Sequence, residues 1–307
     1  MRVGFICPNG DAVPFDACMR GCHLGDRCLT KSTLQALTRV RPWTGKPSTT
    51  QLINPTRLEY LKLTNDFYVA PPTMAFALLG TRVHLGLADA DTDISLLEEH
   101  FEDEDMTGQM DSYELEPGQD AGILTDYKTW GSYRVARALG VVKVRVPDPT
   151  GAVYQRSGNG YTKGDPKMVS IFEKDPNAVK IDDVEYQLNR YRLFSERAGF
   201  PVKALQVEAI VRDGGTRIAY NRGVTEPMYL IPVAILPNAA VLEYFNNKGA
   251  ALISALLSHR LPPECTDDEC WEGKRCRGYC DVWEFCDKGL AAHAPAADDQ
   301  EGEAAAS

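Results

Sequence analysis

Asp111 and Asp126 are placed by their surroundings to share a metal ion, with Lys128 beside them to act on water. The stretches on either side of Pro117-Gly118-Gln119 read as strands, with Gly118-Gln119 as a two-residue turn carrying glycine first. Positions 111 and 126 are equidistant from that turn, so the two carboxylates fall opposite each other on one face, roughly 5 Å apart at Cβ. Like charges so placed repel unless a cation sits between them. Two hard oxygen ligands with space for water describe a magnesium site. Lys128 lies two residues beyond Asp126 on the same strand face, where a water activator would stand. The plain alternative is a surface hairpin with solvated acids.

Two further segments bear on that choice. Ala77-Leu-Leu-Gly80-Thr-Arg-Val-His84 ends a predominantly apolar run with a histidine, which alone is more often a core or surface residue than a ligand. Tyr186-Gln187-Leu-Asn-Arg-Tyr191 reads as helical, placing Gln187 and Tyr191 at i and i+4 on one face.

In chain order, His84, Asp111, Asp126-x-Lys128 and Gln187-x-x-x-Tyr191 resemble the separate motifs of the RecB-like branch of the PD-(D/E)XK nuclease superfamily, across residues 48 to 235. Thr129 after Lys128, and the Gly80-to-His84 approach, are similar to AddB-type and CRISPR-associated RecB-like nucleases. The second acid is aspartate where many relatives carry glutamate, which makes the metal geometry depend more on the backbone. The resemblance implies an α/β fold, a mixed central sheet flanked by helices in a restriction-endonuclease-like core. It also implies a metal-dependent deoxyribonuclease, an exonuclease on DNA single strands or ends, in recombination, repair, phage replication or CRISPR adaptation. Helicase, recombinase or CRISPR adaptation proteins are the partners this suggests. In that role Asp111 and Asp126, with the Tyr127 carbonyl and His84, hold one or two magnesium or manganese ions. Lys128 orients or deprotonates water, and Gln187 and Tyr191 position the nucleophile or the DNA strand.

The nine cysteines fall in two terminal groups. Cys7, Cys18, Cys22 and Cys28 follow C-x10-C-x3-C-x5-C, and Cys265, Cys276, Cys280 and Cys286 repeat it, with Cys270 extra. One reading is two self-contained four-thiolate sites holding zinc, with His23 able to replace a thiolate in the first. The other, implied by the resemblance, is a [4Fe-4S] cluster that joins one N-terminal cysteine to the C-terminal trio and staples the ends of the nuclease domain. Free buried thiols fit poorly with polar neighbours such as Arg20, Asp26, Lys274 and Arg275, and disulfides belong to an exported module.

The wider sequence is compatible with these readings. A chain of 307 residues, 44% hydrophobic, can bury one sizeable core, and a net charge of -10 argues against a surface coated in basic residues. Arg134, Arg137, Lys143 and Arg145, with Arg190, Arg192, Arg197 and Lys203, are candidates for a local groove along a phosphate backbone. No secretory or membrane-spanning segment is visible, so a cytoplasmic protein without a membrane partner is expected. The organisation expected is a cysteine-rich cap at 1–30, the nuclease domain at 31–260, a second cap at 261–288, and a disordered Ala-rich acidic tail at 289–307. Within it, helices are expected over 51–62, in the acidic stretch 89–105 and over 239–259, with a loop-rich insertion at 147–180. Two other classes compete: a non-catalytic DNA-binding or scaffold protein on a decayed nuclease core, and a secreted cysteine-rich binding module.

Overall fold

A computed structural model describes residues 1–89 and 94–294. The chain divides into two compact units, one built from 1–75 with the chain from 243 onward, the other from 76–242. The segment 31–75 therefore groups with the two cysteine-bearing ends.

The first unit opens with β1 (Arg2–Ile6), which pairs antiparallel with β2 (Ala12–Pro14) and parallel with a later strand. Then follow α1 (Phe15–Arg20), α2 (Lys31–Leu37), α3 (Thr49–Ile53), α4 (Thr56–Thr64) and that partner strand, β3 (Phe67–Val69). Helix α3 starts where its sequence announces a start: Ser48 and Gln51 form a reciprocal capping box. The single helix expected over 51–62 is broken at Asn54-Pro55, because Pro55 has no N–H to continue the ladder, and α4 begins after it. Phe5, Leu34, Leu52, Leu58 and Leu61 are buried.

The second unit contains α5 (Ala75–Ala88), β4 (Ser95–Leu97), β5 (His100–Glu102), β6 (Thr107–Gln109), β7 (Ser112–Glu114), β8 (Gly122–Trp130) and α6 (Ser132–Ala138). It continues through β9 (Val141–Pro147), β10 (Met168–Lys174), α7 (Asp182–Arg197), β11 (Val202–Val211), α8 (Arg217–Tyr220) and β12 (Met228–Val233). Its centre is a mixed five-stranded sheet in the order β12-β11-β8-β7-β4, parallel between β8 and β11 and antiparallel elsewhere. The parallel pair needs a long crossover, and α6, the β9–β10 hairpin and α7 supply it. Helix α7 packs on β8, β11 and β12. It turns Val184, Leu188, Tyr191 and Phe194 inward at three- and four-residue intervals, against a sheet that buries Leu124, Leu205, Val207 and Ala209. Each such side chain contributes about 1.5–3 kcal/mol when fully buried.

One local expectation is overturned and two are corrected in part. The described part of the acidic stretch forms β4 and β5 rather than a helix, because Leu96, Leu97 and Phe101 find strand partners in β7 and β6. Residues 148–167 are loop as expected, and the rest of that insertion holds β10, which pairs with β9 along its whole length. The tail is helical where it begins, within α11 (below), and 295–307 lies outside the described residues.

Helix α9 (Asn238–Ser258) leads back into the first unit, which ends with α10 (Lys274–Gly278) and α11 (Asp287–His293). Among the described residues no helix is long and apolar enough to cross a membrane.

Candidate functional site

The hairpin that carries the acids forms in the register its spacing requires. Ser112 pairs with Thr125, Tyr113 with Leu124 and Glu114 with Ile123, so the line extends to Asp111 and Asp126. The two-residue turn does not form. Instead the strands part after Glu114 and Ile123, and Gln119 N donates to Glu116 O at 3.1 Å around Pro117 and Gly118, whose φ is +81°. Proline followed by a left-handed glycine is the preference of a type II turn, which does not continue a ladder as a primed turn does. Tight packing holds the register in its place: a Cβ on Gly122 would meet Glu114 O and the Tyr113 ring at 2.5 Å.

Both aspartates are buried, Asp111 at 8% exposure and Asp126 at 1%. Asp111 Oδ2 accepts from Tyr127 N at 2.7 Å. Burial, with Asp126 second, pushes the Asp111 carboxyl up to about 8. Lys128 Nζ lies 2.6 Å from Asp126 Oδ2, a close ion pair with the buried carboxylate. Burial works against the lysine's charge, but Asp126 and Asp111 outweigh it and hold its pKa above the ordinary value. From α7, Gln187 Nε2 donates to Asp126 Oδ1 at 3.3 Å and to the Tyr191 hydroxyl at 3.1 Å, so one amide ties the acid to the helix.

His84, near the end of α5, sits with Nδ1 3.5 Å from Asp111 Oδ1 and 3.3 Å from Glu98 Oε1. Its ring meets Tyr127 edge-on at 6.3 Å. His84, Glu98 and Asp111 each present one ligand atom, all within 4.8 Å of one another. A divalent cation suits this set: nitrogen and carboxylate oxygen donors converge, and an acid kept protonated by burial and by the facing Asp126 would be relieved by positive charge.

No family model and no curated protein matches this chain. A solved structure titled "Crystal structure of SSO0001" is similar at a TM-score of 0.38 and 15% identity, over 85% of this chain and 94% of that one. A likeness so loose carries no argument about fold or function.

The structure thus brings His84, Asp111, Asp126, Tyr127, Lys128, Gln187 and Tyr191 into one neighbourhood. Glu98 is the residue that sequence reasoning missed. It is one acid among many in its segment, and no spacing singles it out. It takes position through tertiary contacts: Glu98 N donates to Asp111 O at 2.9 Å, Gln109 Nε2 donates to its carboxylate at 2.6 Å, and its φ of +55° turns the chain between β4 and β5.

Two members of the expected basic groove are corrected. Arg190 is buried, paired with Asp103 and set over the Phe194 ring; Arg192 is buried too and donates to Leu236 O and Asn238 Oδ1. Both stitch α7 to its surroundings. Lys143 and Arg145 are exposed, on β9.

The cysteines gather in the first unit. Cys7, Cys18, Cys22 and Cys28 line one pocket with Val13, His23 and Leu34; all five C-terminal cysteines line another with Leu58 and Leu61. His23 is bonded to Asp11 at 3.1 Å. Burial, followed by the neighbouring thiols, pushes the Cys7 thiol up, and burial followed by Glu269 pushes Cys265 up to about 11.

Proposed function

We propose that this chain is a magnesium- or manganese-dependent deoxyribonuclease, cutting phosphodiester bonds of DNA single strands or ends. The observation that carries this reading is the convergence of Asp111, Asp126 and Lys128 from one hairpin with His84 from α5 and Gln187 and Tyr191 from α7. The order of these motifs supports DNA as the substrate, and the mixed sheet, with Asp111 just before β7 and Asp126 in the adjacent β8, supports a restriction-endonuclease-like core.

Asp111, Asp126, His84 and Glu98 would hold the metal, with the Tyr127 carbonyl beside them. A bound divalent cation lowers the pKa of a coordinated water and offsets charge developing on phosphate oxygens. Gln187 fixes Asp126 through Oδ1, which leaves Oδ2 to the Lys128 ammonium or, in competition with it, to a cation. Tyr191 fixes Gln187 in turn. Lys128, now held by Asp126, is the group placed to orient the attacking water or take its proton, once the cation competes for that carboxylate. The completeness of this set counts against a non-catalytic scaffold.

End-labelled single- and double-stranded DNA, incubated with magnesium, manganese or calcium, tests the proposal. Cleavage is expected with magnesium and manganese and not with calcium, whose looser coordination holds substrate without aligning water. Asp126→Ala should abolish it; undiminished cutting by that variant overturns the assignment.

A further inference from the structure

The two cysteine groups share a spacing but not a pocket. Cys7 follows β1, Cys18 lies in α1, and Cys22 and Cys28 come from the loop after it, so 22 consecutive residues supply a complete quartet. That loop is held locally: Arg27 donates to Cys18 O at 2.8 Å and Met19 O at 3.3 Å, and Cys7 N donates to Asp11 O at 2.8 Å. No C-terminal cysteine lines this pocket, and no N-terminal one lines the other.

The C-terminal pocket has five thiols, and one has other bonds. Cys270 Sγ donates to Thr266 O at 2.8 Å, and the Lys288 ammonium also bonds it. The remaining Cys265, Cys276, Cys280 and Cys286 are the four that match the N-terminal spacing. Lys288 Nζ donates to Cys265 O at 3.0 Å, and His293 Nε2 lies 3.0 Å from Cys276 O, so the backbone around these ligands is fastened from α11.

The separation of the sulfurs bears on what fits between them. One zinc ion with four thiolates at about 2.3 Å would bring the sulfurs to about 3.8 Å from one another. Among the described residues no three cysteine sulfurs lie within 4.8 Å of one another, although all face their pocket. In a [4Fe-4S] cluster each thiolate binds a different iron, so the four sulfurs stand farther apart around a larger body. We propose that the N-terminal quartet binds an iron–sulfur cluster of its own, separate from a second cluster at Cys265, Cys276, Cys280 and Cys286. Each ligating thiol loses its proton on binding, and Arg27 near Cys18 and Lys288 near the second site offset part of the resulting negative charge. This inference does not rest on the nuclease reading.

The test is metal stoichiometry of the full chain, purified anaerobically and reconstituted with ferrous iron and sulfide. Iron, acid-labile sulfide and zinc are measured in the parent protein and in Cys22→Ser, Cys280→Ser and the double variant. Each single variant should retain half the iron and sulfide of the parent, and the double variant almost none, while Cys270→Ser keeps the full amount. Loss of all iron in Cys22→Ser would mean one shared cluster, and overturns the proposal. Zinc without sulfide, or no metal in either group, also overturns it. If a variant fails to fold, the parent protein still decides: two clusters per chain support the proposal, one or none rejects it.

Discussion

Asp111 sets how the site responds to pH. Unfolded, its carboxyl titrates near the ordinary value of 3.8; folded and without metal it keeps its proton up to about 8, first because it is buried and then because Asp126 faces it. Between those values the folded state binds more protons, so its contribution to stability, present at low pH, is lost as pH rises through the folded pKa. Chelated protein should therefore unfold more easily as pH climbs from 4 to 8, and Asp111→Asn should flatten that slope in urea titrations. Manganese must displace the same proton, so its affinity, measured by calorimetry, should rise across this range and level off above it. Glu98→Gln should weaken manganese binding about 10- to 100-fold, with excess metal recovering part of the activity, since Glu98 faces both His84 and Asp111. Lys128→Ala should lower turnover by about 100- to 10,000-fold while leaving a calorimetric manganese isotherm in place. An isotherm lost together with turnover would make Lys128 a structural residue instead.

The hairpin and α7 carry the site at the scale of elements. Gly118→Ala forces a left-handed residue with a Cβ and should lower stability by about 1–2 kcal/mol in thermal unfolding. Cleavage at saturating magnesium should survive, because Tyr113, Leu124 and Gly122 hold the register rather than the turn. Leu188→Ala in the buried face of α7 should lower stability by about 2–5 kcal/mol and reduce activity as well, since the helix that carries Leu188 presents Gln187. The pairing of Asp111 with Asp126 was legible because strand periodicity is two and the distance to the turn is simple arithmetic. The turn itself was misread, because Pro117-Gly118 favours a geometry that splays the strands. A helix is expected over the acidic stretch, whereas edge pairing with β7 and β6 makes strands of its described part, a contact no local pattern records.

At the scale of the whole molecule, the cysteine-bearing ends belong to one unit, and Asp111 and Asp126 to the other. If the cysteine pockets hold clusters, removing iron should raise hydrogen exchange across α1, α10 and α11, while β8 and β11 keep their protection. Equal loss of protection in the central sheet would show that its stability depends on the clusters. The sequence by itself determined the types and order of the site residues, the opposed register of two carboxylates and the doubled cysteine spacing, since each follows from local period or count. Only the tertiary structure decided that Glu98 joins His84, that Arg190 and Arg192 are buried structural cations, and that the cysteine quartets face separate pockets. Those facts depend on which distant surfaces meet, and the burial that raises the Asp111 carboxyl exists only after they have met.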